Sequence, residues 1–206
     1  MRLVHSFPIP QRASNEQPWD QTYAVAPTLD RVVLTTDDTA FCLDREGREQ
    51  WRFRPESGPP EIGSPLIGCV YSGDGALVWL YLPDVEAGRG DADRWIALDA
   101  ATGGPRIEHR LETTGQGGRQ LATPDGQYVL LDVDQGQIGC EIYRAGPRAE
   151  LHRYPWDDRS LVALSSDARQ FMTVGHGREN SRSTTSRVAR CGPLSGSRTS
   201  GRTRWL

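Results

Sequence analysis

The side chains able to do chemistry are few and scattered. Four cysteines, Cys42, Cys69, Cys140 and Cys191, lie far apart and form no C-x-x-C pair. The first three sit in apolar stretches, where a reduced thiol behaves as a small hydrophobe; zinc ligation or a disulfide is the alternative use. His5, His109, His152 and His176 have no partner ligands at zinc spacing. His109 and His152 fall in what should be the outermost strands of their units and read as surface or edge residues. The stretch from Pro83 to Asp93 holds three Asp and one Glu, yet it lacks the stepped oxygens and sharp turn of a calcium loop, so it reads as an exposed, mobile loop. Asp132-Val133-Asp134-Gln135-Gly136 opens like a calcium loop, but Tyr143 stands where the closing Glu belongs, which leaves a strand end and turn.

The remaining motifs are equally plain. Asp37-Asp38 and Asp157-Asp158 read as turns, and Gly115-Gln116-Gly117-Gly118 reads as a glycine-rich turn. The chain has no G-x-G-x-x-G unit, no P-loop and no G-x-S-x-G elbow, and Ser195-Gly196-Ser197 lies in a polar tail. Trp19 and Trp156 precede first strands, where packing beneath the sheet or exposure at an interface would suit them. No catalytic, cofactor-binding or metal-ligating residue is assigned on this reading, and no cofactor is expected.

The elements that would position any site are legible. The chain has 206 residues, 36% of them hydrophobic, with 22 Gly and 14 Pro. That composition excludes a long coiled coil, and no apolar run is long enough for a membrane-spanning helix. Many turns between short elements imply an all-β fold. The strongest signal is an internal repeat. Pro18-Trp19-Asp20 recurs as Pro155-Trp156-Asp157, an offset of 137 that continues to Asp30 and Asp167. Ser72-Gly73-Asp74-Gly75 and Thr123-Pro124-Asp125-Gly126 each precede an apolar run. The turn aspartates Asp30, Asp74, Asp125 and Asp167 are spaced by 44, 51 and 42 residues. In such turns the carboxylate accepts backbone N–H groups and a following Gly supplies positive φ.

A period near 46 residues suits a four-stranded propeller blade. Strands are expected at 23–27, 32–36, 39–44 and 49–55, at 64–71, 76–83, 94–100 and 106–112, and at 119–123, 128–133, 139–145 and 149–155. The fourth unit offers 160–165 and 171–175. The organisation expected is an N-terminal extension over 1–17, blades over 18–55, 64–112, 119–155 and 158–177, and a tail over 178–206.

Within this frame, Ala40 to Phe53 resembles the repeat of quinoprotein-like (PQQ-like) propellers, in which a strand ends in Ala-Leu-Asp, a turn ends in Thr-Gly, and a Trp follows four residues on. Ala97-Leu98-Asp99-Ala100-Ala101-Thr102-Gly103 fits the first half closely, with Ile107 in the place of the Trp. Gly146 and Leu151 keep a looser version. The Asp-Gly hairpins resemble those of WD40-like blades, and the all-arginine usage suits a GC-rich bacterial genome. The resemblance implies an all-β propeller of three four-stranded blades plus half of a fourth, apparently incomplete. It does not carry over the catalysis of quinoprotein dehydrogenases, because adjacent cysteines, calcium ligands and an export signal are missing from this sequence.

Charge is unevenly spread. Residues 178–206 hold seven Arg and one acid, Glu179; residues 1–177 hold 17 Arg against 26 acids, a net charge of −9. The tail is rich in Arg, Ser, Thr and Gly and reads as disordered, either as a genuine tail or as an out-of-frame continuation of a longer propeller. The function expected is a non-enzymatic protein-interaction scaffold with a protein partner, in the cytoplasm and away from membranes. One alternative is a small-ligand-binding or enzymatic propeller whose site needs further blades. Nucleic-acid binding through the Arg-rich tail is another, disfavoured by the acidic body and the single tail aromatic, Trp205.

Overall fold

Runs such as Val32-Val33-Leu34 and Val78 to Leu82 are apolar on consecutive positions. Side chains on a strand alternate between faces, so a sheet built from such runs must be covered on both sides. The computed structural model satisfies this by stacking four antiparallel sheets face to face. It describes residues 7, 23–36, 38–55, 68–84, 92–136, 139–155, 159–175 and 190–193. Blade 1 comprises β1 (Tyr23–Val25), β2 (Arg31–Thr35), β3 (Ala40–Asp44) and β4 (Glu49–Phe53). Blade 2 comprises β5 (Gly68–Tyr71), β6 (Leu77–Leu82), β7 (Arg94–Asp99) and β8 (Pro105–Arg110). Blade 3 comprises β9 (Gly117–Ala122), β10 (Val129–Asp134), β11 (Cys140–Ala145) and β12 (Leu151–Arg153), and blade 4 comprises β13 (Arg159–Leu164), β14 (Gln170–Gly175) and β15 (Arg190–Pro193).

Each sheet follows chain order from first strand to last. The first strands adjoin one another, β1 against β5, β5 against β9 and β9 against β13. They form the inner edge of the stack and the last strands form its rim. The expected strands are all present. The difference lies in blade 4, which has a third strand where the sequence pattern gave none: Arg190–Pro193 pairs with Gln170–Thr173 inside the segment expected to be disordered. Main-chain hydrogen bonds along an edge such as β14 need no apolar sequence, which is why composition hid this strand. The rest of the tail, the 1–17 extension apart from Phe7, and residues 85–91 of the long loop lie outside the described residues. Among the described residues no helix is present, so none is long and apolar enough to cross a membrane.

Alternation assigns the faces. Val33, Ala40, Cys42 and Trp51 of blade 1 meet Val78, Leu80, Ile96 and Leu98 of blade 2. The other face of blade 2, with Trp79, Tyr81, Trp95 and Ala97, meets Val129, Leu131, Val133 and Tyr143 of blade 3. Leu130, Ile142 and Tyr154 then meet Leu161 and Phe171 of blade 4. Burying one such Leu or Val contributes about 1.5–3 kcal/mol.

The first-to-second turns share one geometry. The Oγ of Ser72 accepts the N–H of Leu77 at 2.9 Å and donates to Asp74 at 2.6 Å, while Asp74 accepts the N–H of Ala76 at 3.0 Å. Ser165, Asp167 and Arg169 repeat this arrangement, and Thr123 plays the part of Ser72 for Tyr128. The residue after the aspartate is left-handed: Gly75 (φ 72°), Gly126 (φ 71°) and Ala168 (φ 55°). In blade 1 that position is Leu29 (φ 58°), which follows Thr28. The counterpart of Asp74 is therefore Thr28, two residues before the aspartate singled out by the repeat; Asp30 instead accepts the Thr28 hydroxyl. A bulge in β13 between Leu161 and Ala163 adds one of the two residues by which the alignment shifts.

Left-handed backbone costs a residue with a Cβ about 1–2 kcal/mol. Leu29 is 47% exposed, so little packing offsets that strain. Leu29→Gly is expected to raise the unfolding free energy by about 0.5–1 kcal/mol in urea titrations. Gly126→Ala is expected to lower it by about 1–2 kcal/mol, because its Cβ would lie 2.7 Å from the Asp74 carboxyl carbon.

Acid stability should report the turn carboxylates. The Arg106 guanidinium and the Thr102 hydroxyl hold Asp99 down at about 2, and Ser165 with the Arg169 N–H holds Asp167 below its usual value. Carboxyls depressed in the folded state contribute stability at pH values above the ordinary carboxylate range and lose it as pH falls through their folded values. The melting temperature is expected to hold above pH 5 and to fall between about pH 4 and pH 2.

Candidate functional site

The blade junctions hold the polar side chains that the apolar layers cannot explain. Asp93, fully buried at the start of blade 2's third strand, accepts the Tyr81 hydroxyl at 3.0 Å and the Thr113 hydroxyl at 2.7 Å. It also accepts the N–H of Asp84 at 2.8 Å and of Gly115 at 2.8 Å. One carboxylate thus ties both ends of the Pro83–Asp93 segment to the connection that leads into blade 3. This corrects the reading of that segment as wholly solvated: Asp84 and Asp93 are buried.

Each junction also has a directional side-chain bond of its own. Trp51 donates its indole N–H to the Ala100 carbonyl of blade 2 at 3.0 Å. Trp95 donates to Oε1 of Gln120 in blade 3 at 2.9 Å. Asp132 accepts the N–H of Leu161 in blade 4 at 2.7 Å. Asp132 is thereby a junction residue as well as part of a strand end, whereas Asp134 closes its turn on the N–H of Gly136 at 2.8 Å.

The candidate chemical groups are spent on packing. Cys42, Cys69 and Cys140 are buried and outside any disulfide. Burial pushes the Cys69 thiol up to about 12 and also raises Cys42, so neither is a ready nucleophile. His109 lies in the rim strand β8, as expected, but is half-buried and stacks on Trp79 at 6.3 Å. Among the described residues no three His, Cys, Asp or Glu side chains gather as a metal cluster. His5, His176, Cys191's side chain, Asp37, Asp157, Asp158, Trp19 and Trp156 lie outside the description. A shallow cleft of about 470 Å³ beside the blade 1 turns is lined by Asp30, Arg31, Asp44, Glu46 and Arg48. Those charges neutralise one another in exposed ion pairs.

Two further features stand out. The first is Arg144 on β11, 8% exposed, with its guanidinium 4.6 Å from the centre of the Tyr128 ring. Its Nε is buried without a hydrogen-bond partner, and among the described residues no acid pairs with it. His152 stands directly opposite on β12, and the His152 ring meets Tyr154 edge-on at 4.7 Å. Burial, then the Arg144 charge, lowers the His152 pKa; burial raises Tyr154 to about 12 against the pull of the same charge. Arg144 shares its face of the strand with Ile142 and Cys140. A charge at that parity was the signal that sequence reading passed over.

The second is the outer flank of blade 1. Tyr23 and Leu34 are cross-strand partners, as are Val25 and Val32, Leu34 and Phe41, and Val32 and Leu43. Directly opposed residues point to the same side, so these six form one apolar face turned away from blade 2. Phe7 packs on part of it. Tyr23 remains 53% and Val25 40% exposed.

No protein-family profile matches the sequence, and no curated protein sequence is similar to it. Solved structures are similar in fold. BamB from Moraxella catarrhalis superposes with a TM-score of 0.50 at 17% identity, over 73% of this chain and 42% of that one. The Cps50 (Swd1) β-propeller domain of Myceliophteria thermophila gives 0.53 at 10% identity, over 79% and 53%. An uncharacterised protein from Listeria monocytogenes gives 0.51 at 8% identity, over 89% and 54%. The chain has the β-propeller fold and spans about half, or less, of the length of these structures.

The Asp93 hub generates a stability prediction. Tyr81→Phe removes one buried bond and is expected to cost about 1 kcal/mol in urea unfolding. Asp93→Asn sets an amide against N–H and O–H donors and is expected to cost about 2–4 kcal/mol. The double variant should cost less than the sum, since both changes act on one network.

Proposed function

We propose that this chain is a propeller-type, non-enzymatic protein-interaction scaffold. The observation that carries the reading is the outer flank of blade 1. Its face is as apolar as the faces that pack blade upon blade, yet Tyr23 and Val25 stand open. A contiguous apolar sheet face with exposed aromatic and branched side chains is a protein-docking surface by chemistry. The occupant we assign is an apolar strand or sheet face of a partner protein, continuing the packing already made between blades 1 and 2. The Trp51 side chain, docked on the Ala100 turn of the next blade, supports grouping these repeats with the quinoprotein-like kind. The buried thiols, none in a disulfide, suit a cytoplasmic setting.

Site-specific photocrosslinking tests the reading. A benzophenone side chain replacing Tyr23 is expected to give one discrete heterologous adduct in cells, and the same group at exposed Arg148 none. Adding Val25→Glu is expected to reduce the adduct at least tenfold while circular dichroism stays unchanged. Equal adducts at both positions, or an adduct of the chain with itself, would overturn the assignment.

A further inference from the structure

The Arg144 niche is independent of the blade 1 flank and lies at the junction of blades 3 and 4. Arg144 is 8% exposed, and the Tyr128 ring answers only one face of its guanidinium. The edge of the group, which carries its N–H donors, is the part that recognises carboxylates in a two-pronged geometry. Its Nε is buried with no acceptor. His152 faces Arg144 across the β11–β12 pair, and the shifts of His152 and Tyr154 both favour their neutral forms. Phe171 of blade 4 meets the Tyr154 ring at 4.9 Å and continues the aromatic wall.

We propose that this niche binds a single carboxylate flanked by an apolar or aromatic group, presented by a segment of a partner protein. One guanidinium matches one negative charge. An acidic body with 17 Arg against 26 acids over residues 1–177 repels extended polyanions, which leaves a singly charged group as the complementary ligand. The half-buried Tyr128 ring supplies apolar surface for the group beside the carboxylate. The source as a partner segment rests on the scaffold reading; the carboxylate chemistry does not.

The test uses the full chain and small probes. Phenylacetate, acetate and inorganic phosphate are titrated at constant ionic strength while the His152 imidazole is followed by NMR. Phenylacetate is expected to give a saturable shift and to raise the His152 pKa, since a bound carboxylate offsets the Arg144 charge. Acetate should bind at least fivefold more weakly, and phosphate should give no saturation. Arg144→Lys keeps the charge without the fork and is expected to weaken phenylacetate at least fivefold; Arg144→Gln is expected to abolish it. Should Arg144→Gln fail to fold, Arg144→Lys and Tyr128→Leu, which removes the stacked ring, decide the matter. No saturation with phenylacetate, or equal binding by Arg144→Lys, overturns the proposal. Tighter binding of phosphate than of phenylacetate overturns the carboxylate assignment. A failed crosslink at Tyr23 with intact phenylacetate binding would remove the scaffold reading and leave the niche standing.

Discussion

Each sheet in this chain is apolar on both faces, and everything else in the structure follows from that. A single four-stranded sheet with two wet apolar faces has no core of its own. Val33 needs Leu80, Trp79 needs Leu131, and Leu130 needs Phe171, so each blade is stable only as far as its neighbours cover it. The two terminal faces are the places where the rule has no described blade to satisfy it. On blade 1 the unsatisfied face gathers Phe7 over Val32, Leu34 and Leu43 and leaves Tyr23 and Val25 open. The open apolar face is thus a consequence of the packing rule, and needs no separate device.

Apolar layers alone would let blades slide, because dispersion and hydrophobic burial have little direction. The junction bonds supply the register. Trp51 to Ala100, Trp95 to Gln120 and Asp132 to Leu161 each join a side chain of one blade to a fixed point on the next. Asp93 does the same for the connection between blades 2 and 3, through both backbone and side-chain donors. These bonds differ in chemistry from junction to junction, so only one pairing of blades satisfies all of them. A buried donor or acceptor left unpaired costs about 1–3 kcal/mol, enough to exclude shifted stackings.

Strand order and blade number were legible because turn chemistry repeats: Ser72-Asp74-Gly75, Thr123-Asp125-Gly126 and Ser165-Asp167 announce their hairpins through residue types that only those turn positions favour. Blade 1 blurred the signal. Ala26, Thr28 and Leu29 make the same turn without the hydroxyl, the carboxylate or the glycine, so the repeat was anchored on Asp30. The bulge at Val162 accounts for one residue of the offset. β15 was illegible for a different reason, since edge pairing through the main chain leaves little mark on composition. Asp93 was hidden by its acidic, glycine-rich neighbours, which look solvated as a run even though the last residue is buried. Site residues in this fold are polar exceptions at apolar parity. They become visible once strand faces are known, which is why Arg144 needed the register before it stood out.

The contrast between Arg144 and the other strand arginines shows what kind of exception it is. Arg94 on β7, also largely buried, meets Glu108 across the sheet at 2.8 Å. Arg153 on β12 reaches Glu141 at 2.7 Å, and Arg159 on β13 donates to Thr173 at 2.8 Å. Each of these three arginines has an acceptor within its sheet. At Arg144 the sheet supplies an aromatic face and a histidine instead, neither of which accepts from the guanidinium edge. Leucine at that position would fill the space between Ile142 and the next turn without the desolvation cost of a charge. The proposed carboxylate would supply the acceptor that the sheet does not.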